Sequence, residues 1–255
     1  MMLDAVAFEV SGRVLLAPLT VTLPAQGVVG LVGQNGSGKS TLLKLLARQQ
    51  PPTQGRISYA GIPLLEWAAR DFARSVAYLP QQAPPAVGLT TRELVSLGRY
   101  PWHGALGRFS LADRRKVDEA LLLTSTLGYE DRLVETLSGG ERQRVWLAML
   151  IAQDARLLLL DEPLSALDPA HQVEVMKLVR RISLETGVAV IVVLHDINLA
   201  ARYCDRILAL KAGDLIVDGP PDVFMTAAQL EMVYDVAMGV FPHPVSGTAV
   251  AYVRD

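Results

Sequence analysis

Apolar and polar positions recur at two different periods along these 255 residues, and the switches between them outline the fold. Residues 3–32 carry three apolar patches, Leu3–Val10, Val14–Leu23 and Val28–Val32, punctuated by Gly12 and by Pro24-Ala25-Gln26-Gly27. They read as short, partly antiparallel strands. A helical period follows over 39–48 and stops before Pro51-Pro52. Arg56–Ala60 reads as a strand, Leu64–Phe72 as a short helix and Val76–Leu79 as a strand. After Gln81 the character changes: residues 82–109 are rich in Pro and Gly, with one short helical stretch at Arg92–Leu97. Ser110, with Asp113 in the first turn, caps a helix through about Leu127, and another helix runs from Ser138-Gly139-Gly140 to about Gln153. Alternation resumes at Arg156: strand Leu157–Asp161, helix Ala170–Thr186, strand Val188–Leu194, helix Ile197–Tyr203, then a hairpin of Arg206–Leu210 and Leu215–Val217 turning at Ala212-Gly213-Asp214. One more helix is expected near Ala227–Tyr234.

This order implies an α/β fold: a mainly parallel sheet with helices on its faces, preceded by an N-terminal antiparallel β subdomain. The expected divisions are an α/β core from 1–81 and 154–220, an inserted helical lobe at 82–153, and a C-terminal extension at 221–255 without a catalytic motif. The plain apolar run Val188–Leu194 is seven residues, far short of the ~20 needed to cross a bilayer. No secretory leader is expected at Met1-Met2-Leu3-Asp4, which has neither a basic segment nor a long apolar stretch. Hydrophobic residues at 51% and charged residues at 20% argue for a globular chain, and a net charge of −2 argues against a large nonspecific nucleic-acid surface. The single Cys204 supplies no disulfide framework and is consistent with a reducing cytoplasm. The histidines at 103, 171, 195 and 243 lack metal-ligand spacing.

The chemistry concentrates at Gly33-Gln34-Asn35-Gly36-Ser37-Gly38-Lys39-Ser40-Thr41, which fits G-x-x-x-x-G-K-[ST] between a strand and a helix. The glycines let the backbone curl and bring its N–H groups to phosphate oxygens, and the helix start favours an anion. Lys39 is expected to reach the β- and γ-phosphates and Ser40 to bind Mg²⁺. The strand Leu157–Leu160 ends in Asp161-Glu162. Adjacent side chains at a strand end point apart, so Asp161 suits the Mg²⁺ side of a nucleotide site and Glu162 the polarising of an attacking water. Ser138-Gly139-Gly140 offers a second anion-binding helix start. It reads equally well as an N-cap with Glu141 completing a capping box.

Taken in order, the phosphate loop at 33–41, Gln81 after a strand, Leu137-Ser138-Gly139-Gly140-Glu141-Arg142-Gln143, Asp161-Glu162, Ser165-Ala166-Leu167-Asp168 and His195 after a strand resemble the nucleotide-binding subunit of an ATP-binding cassette (ABC) transporter. The resemblance spans roughly 3–220. It implies a P-loop NTPase core and a head-to-tail pair of identical chains, each ATP lying between the phosphate loop of one copy and the signature 137–143 of the other. It implies that Ser138, Gly139 and Gly140 contact the γ-phosphate held by the partner copy, that Gln81 touches Mg²⁺ and the attacking water, that Asp168 lies at the seam, and that His195 contacts the γ-phosphate. Many members stack an aromatic residue on adenine; here Val10 takes that place, with Arg13 close by.

The stretch Gly98–Phe109 mixes aromatics and arginines, types favoured at interfaces. Read blandly, Tyr100, Trp102 and Phe109 plug the lobe's own core. With His195–Asp205 it resembles the ATPase subunits of bacterial iron–siderophore importers, the ferric hydroxamate type above all. That implies a separate inner-membrane permease docking near Gln81 and residues 98–109, a substrate-binding protein beyond it, and a peripheral place on the cytoplasmic face. The alternative under the same resemblance is the same motor for haem or vitamin B12 import. A soluble ABC ATPase of DNA repair or translation would carry two cassettes or a coiled-coil insertion, and a P-loop kinase would not need Ser138-Gly139-Gly140.

Overall fold

The alternation that opens the chain folds as an antiparallel hairpin in the computed structural model, which describes residues 1–104, 107–165 and 167–254. Ala105 and Leu106 of the 98–109 stretch, and Ala166 of Ser165–Asp168, lie outside the described residues. The chain divides into two compact units, Met1–Glu66 with Ala189–Asp255, and Trp67–Val188.

In the first unit, β1 (Met2–Val10) and β2 (Arg13–Thr22) pair around Ser11-Gly12, both left-handed at φ 51° and 78°, as a two-residue hairpin turn demands. Strand β3 (Gly27–Gly33) is buried at every position after the first and leads through the phosphate loop into α1 (Lys39–Leu46). Strands β4 (Gln54–Tyr59) and β5 (Ile62–Pro63) extend the hairpin into a sheet of order β2-β1-β4-β5.

The second unit contains α2 (Ala69–Ser75), β6 (Val76–Leu79), α3 (Thr91–Leu97), α4 (Tyr100–His103), α5 (Leu111–Leu123), α6 (Gly139–Ala152), β7 (Leu157–Leu160) and α7 (Pro169–Thr186). Strands β6 and β7 pair in parallel, Val76 opposite Leu157 through Leu79 opposite Leu160. Helices α3, α5 and α6 pack on one another through Leu94, Val95, Val117, Leu121, Leu147 and Leu150, all buried. Each of these three helices opens with a capping box: Thr90 with Glu93, Ser110 with Asp113, Ser138 with Glu141. The lobe read at 82–153 falls inside this unit, which also takes in α2, β6, β7 and α7.

The chain then completes the first unit with β8 (Ala189–Val193), α8 (Ile197–Tyr203), β9 (Arg206–Lys211), β10 (Asp214–Gly219), α9 (Pro221–Phe224), α10 (Ala227–Tyr234), β11 (Met238–Pro242) and β12 (Ala249–Val253). Strand β3 lies between β8 and β9, parallel to both, and β10 closes antiparallel on β9. Their runs Val28–Val32, Val190–Val193 and Ile207–Leu210 are buried, as a sheet covered on both faces requires.

Three local expectations differ from what is observed. The helix read over Leu64–Phe72 is a 3-10 turn, Leu64–Glu66, followed by α2 from Ala69. Ala68 is extended at φ −59°, ψ 137° and separates the two. The 98–109 stretch contains the short helix α4. The C-terminal extension, where only a helix near 227–234 is expected, also holds a β11–β12 hairpin, Met238 opposite Val253 through Pro242 opposite Ala249, and Asn198 of α8 exchanges hydrogen bonds with Ala251 of β12 at 3.2 and 2.8 Å.

Candidate functional site

In the first unit the phosphate loop curls around Lys39, which is only 4% exposed and whose Nζ donates to the carbonyls of Gly33 at 2.9 Å and Gln34 at 2.8 Å. Burying an ammonium without such acceptors is costly. Two glycines make the curl possible. Gly33 and Gly38 have φ of 140° and 102°, and a Cβ at either would fall 2.0 Å from the Leu210 carbonyl oxygen or 2.7 Å from that of Leu15. Gly213, in the β9–β10 turn, donates its amide to the Ser37 carbonyl at 3.1 Å and accepts from the Ala17 amide. The loop is therefore braced by strands far from it in sequence. Asn35 and Gly36 are exposed, and Ser40 and Thr41 are half-buried.

The loop fits a polyphosphate. The Ser37 hydroxyl oxygen is buried and has no hydrogen-bond partner among the described residues, and a buried polar atom in a glycine cradle calls for a ligand. Ser40 in the first unit, and Gln81 and Asp161 in the second, each carry an oxygen of the type Mg²⁺ prefers. No group of three His, Cys, Asp or Glu that could hold a metal ion occurs among the described residues.

His195 follows β8 and is exposed. Because β3 and β8 are parallel neighbours, the phosphate loop and His195 leave the same sheet edge side by side. Asp196 caps α8 by accepting from the amides of Asn198 and Leu199 at 2.8 and 3.0 Å. Val10 and Arg13 pair across the β1–β2 turn, both exposed, on the hairpin whose Leu15 carbonyl abuts Gly38. Asp235, at the end of α10, accepts from Lys211 at 2.5 Å and from Gln34 of the phosphate loop at 3.3 Å.

In the second unit Gln81 donates from Nε2 to Glu162 Oε2 at 2.6 Å. Glu162 is left-handed at φ 49°, a conformation that costs a non-glycine residue about 1–3 kcal/mol and collects at functional sites. Ser165 holds the turn by donating its amide and hydroxyl to the Glu162 carbonyl. Asp161 is 2% exposed. Tyr78 beside it has its hydroxyl pKa pushed up to about 12, first by burial and then by the negative charge of Asp161. A cleft of about 520 Å³ is lined by Gln81, Glu162 and, from α6, Arg142, Gln143 and Trp146. The helix of the signature thus reaches the surface that holds the proposed base.

Ser138 accepts from the Glu141 amide at 3.3 Å and Glu141 accepts from the Ser138 amide at 2.9 Å, so the capping box is formed. Ser138 and Gly139 are exposed and Gly140 is buried. Asp168 caps α7 and bonds both the amide and the ring of His171, at 3.0 and 2.6 Å. These bonds, the amide's first, hold its carboxyl below the usual range. His171 carried no signal in the sequence. The candidate residues therefore assemble as two groups: Val10, Arg13, 33–41 and His195 in the first unit, and Gln81, Ser138–Gly140, Asp161, Glu162 and Asp168 in the second.

The 98–109 stretch divides. Arg99 is 5% exposed and pairs with Asp113 at 2.8 Å. Trp102 lies between the guanidinium groups of Arg74 and Arg99, 4.9 and 4.8 Å from its ring, and donates Nε1 to the Gln153 carbonyl at 2.7 Å. The packing alternative fits Trp102, and Arg99, which it did not include, is buried as well. Tyr100 and Phe109 are 55% and 42% exposed, with the His103 ring edge-on between them.

Residues 16–165 match the family model of the ABC transporter. The chain is 43% identical to the petrobactin import ATP-binding protein FpuC of Bacillus anthracis, over 93% of this chain and 88% of that protein. It is 39% identical to the iron(3+)-hydroxamate import ATP-binding protein FhuC of Bacillus subtilis (strain 168), over 95% and 90%. Among solved structures it resembles the dimeric structure of MJ0796, a bacterial ABC transporter cassette, at a TM-score of 0.73 and 27% identity, covering 86% of this chain and 98% of that one.

Proposed function

The chain belongs to the ABC transporter family, and on that premise we propose that it powers import of a ferric siderophore, of the hydroxamate type, through a separate inner-membrane permease. It is an ATP-binding subunit of an importer and an ATPase, turning ATP and water into ADP and phosphate. The observation that carries the ATPase reading is the buried Lys39, clamped by two carbonyls inside a glycine cradle beside the Ser37 hydroxyl, which has no partner among the described residues.

Phosphate oxygens entering the cradle would engage Lys39, the amides at the start of α1 and the Ser37 hydroxyl. Ser40, Gln81 and Asp161 are the residues that would hold Mg²⁺, which offsets negative charge on the phosphates. Glu162, oriented by the Gln81 amide, accepts a proton from the attacking water or aims it. His195 contacts the γ-phosphate. Val10 and Arg13 hold the adenine by apolar and cationic contact. Ser138, Gly139, Gly140 and Asp168 serve the nucleotide of a second copy arranged head to tail. The permease docks near Gln81 and the 98–109 stretch, through the exposed Tyr100 and Phe109, and places the chain on the cytoplasmic face of the membrane. No described helix is long and apolar enough to cross a membrane itself. The siderophore stays with the permease and an external binding protein.

Replacing Glu162 by Gln lowers ATP turnover by about 10²–10⁴-fold while nucleotide binding persists; unchanged turnover ends the assignment. Reconstitution with the permease identifies the cargo. A binding protein loaded with ferric hydroxamate should stimulate hydrolysis, and stimulation by a haem- or vitamin B12-loaded one instead overturns the siderophore reading.

A further inference from the structure

His171 stands in the first turn of α7, three residues after the cap Asp168. One edge of its ring is pinned: Nδ1 lies 2.6 Å from Asp168 Oδ2, while Asp168 Oδ1 accepts the His171 amide at 3.0 Å. A carboxylate only accepts, so Nδ1 carries the proton in this pair. The opposite edge presses on the signature. A Cβ built on Gly140 would fall 2.3 Å from His171 Cδ2 and 3.0 Å from Cγ and Nε2. At Gly139 the nearest atom to such a Cβ is Leu167 Cδ2 at 3.6 Å, an ordinary contact. Gly140 is therefore small because an imidazole occupies the space beside it, a reason separate from closeness to a phosphate. The ring is flat enough to lie against a glycine backbone and polar enough to bond an acid on its other side. Alanine at 171 would do neither, and leucine only the first.

We infer that His171 is a positioning residue that locks the Ser138–Gly140 turn to Asp168, so that the signature and the loop carrying Glu162 and Asp168 move as one piece. The inference rests on the reading of Ser138–Gly140 as the surface for the partner copy's ATP. Under that reading one end of the piece senses the partner's nucleotide and the other carries this chain's own base. The imidazole thus links the two ATP sites of a pair. No bond is made or broken at His171.

The test is a double-mutant cycle in the full permease complex, with wild type, His171→Ala, Gly140→Ala and the double variant, plus His171→Asn. Asparagine places an amide nitrogen near the Nδ1 position and an oxygen near Cδ2, and so keeps the bond to Asp168. Three readouts are taken: the thermal midpoint of each chain, kcat with its Hill coefficient for ATP, and the affinity of the lone chain for nucleotide. His171→Ala should lower kcat by between about 10- and 100-fold and bring the Hill coefficient towards one, with lone-chain affinity unchanged. His171→Asn should recover most of both. Gly140→Ala should cost far less in the His171→Ala background than alone, because the clash is gone. Additive thermal losses overturn the contact. Coupled thermal losses with wild-type kcat and Hill coefficient for His171→Ala overturn the positioning role, as does failure of His171→Asn to recover either. Failure of the underlying ATPase reading looks different: there Glu162→Gln keeps full turnover while the thermal coupling at 140 and 171 remains.

Discussion

The phosphate loop and the signature turn both lie at a helix N-terminus, yet they are built in opposite ways. The phosphate loop is buried and braced from a distance: Lys39 is 4% exposed, Gly33 and Gly38 abut Leu210 and Leu15, and Gly213 reaches in to bond Ser37. The Ser37 hydroxyl in it has no hydrogen-bond partner among the described residues. The signature turn is exposed at Ser138 and Gly139 and satisfied by its own neighbour Glu141. Thr90–Glu93 and Ser110–Asp113 form the same box with no phosphate to serve. The first site is thus organised for a ligand by a single chain. The second is locally complete as a cap.

The largest expected effect separates the two. Lys39→Ala should abolish nucleotide binding by the lone chain, whereas Ser138→Arg should leave that binding within about twofold and lower turnover of the complex by about 10²–10³-fold. Fluorescent-nucleotide titration and phosphate release measure the two quantities, and loss of lone-chain binding in Ser138→Arg would erase the distinction.

Next in size is the support beneath the signature helix. Arg99 makes buried bonds to Asp113 and the Ala152 carbonyl and stacks on the half-buried Trp102. Arg99→Ala removes the cation from a buried pair, leaving Asp113 only its Ser110 bonds, and should cost up to about 3–5 kcal/mol, read by denaturant unfolding and by faster amide exchange over α3, α5 and α6. Burial pushes the Asp113 carboxyl up, but bonds from the Ser110 hydroxyl and amide and from Arg99 outweigh it and hold it down at about 2. Its folded pKa lies below the ordinary carboxylate value of about 3.9. The stabilisation is therefore full above about pH 4 and is lost as pH falls through 2. Asp113→Asn should flatten the acid dependence of α5 exchange in that window.

The smallest effect belongs to the edge of the phosphate loop. Asp235 touches Gln34 and Lys211 only at the surface. Exposed pairs are worth under about 1 kcal/mol, so Asp235→Ala should shift lone-chain nucleotide affinity by less than about fivefold. A larger shift in calorimetry would mean that the C-terminal extension shapes the loop more than its bonds suggest.

What could be read without coordinates was whatever neighbours in sequence decide among themselves. The β3–loop–α1 unit, the strand ending in Asp161-Glu162, the caps at Ser110 and Ser138 and the helix over Ile197–Tyr203 follow from periodicity and from side chains bonding amides three residues away. Tertiary structure alone decided which arginines and aromatics of 98–109 turn inward, that Gly213 braces Ser37, that Asn198 clasps Ala251, that Glu162 is left-handed and that His171 fills the space at Gly140. The reason is physical. A helix or a cap is set by interactions over three or four residues, which the local pattern encodes. A contact such as that between residues 213 and 37, by contrast, depends on the register in which whole strands pair, and many sequences with the same local pattern could meet in another register.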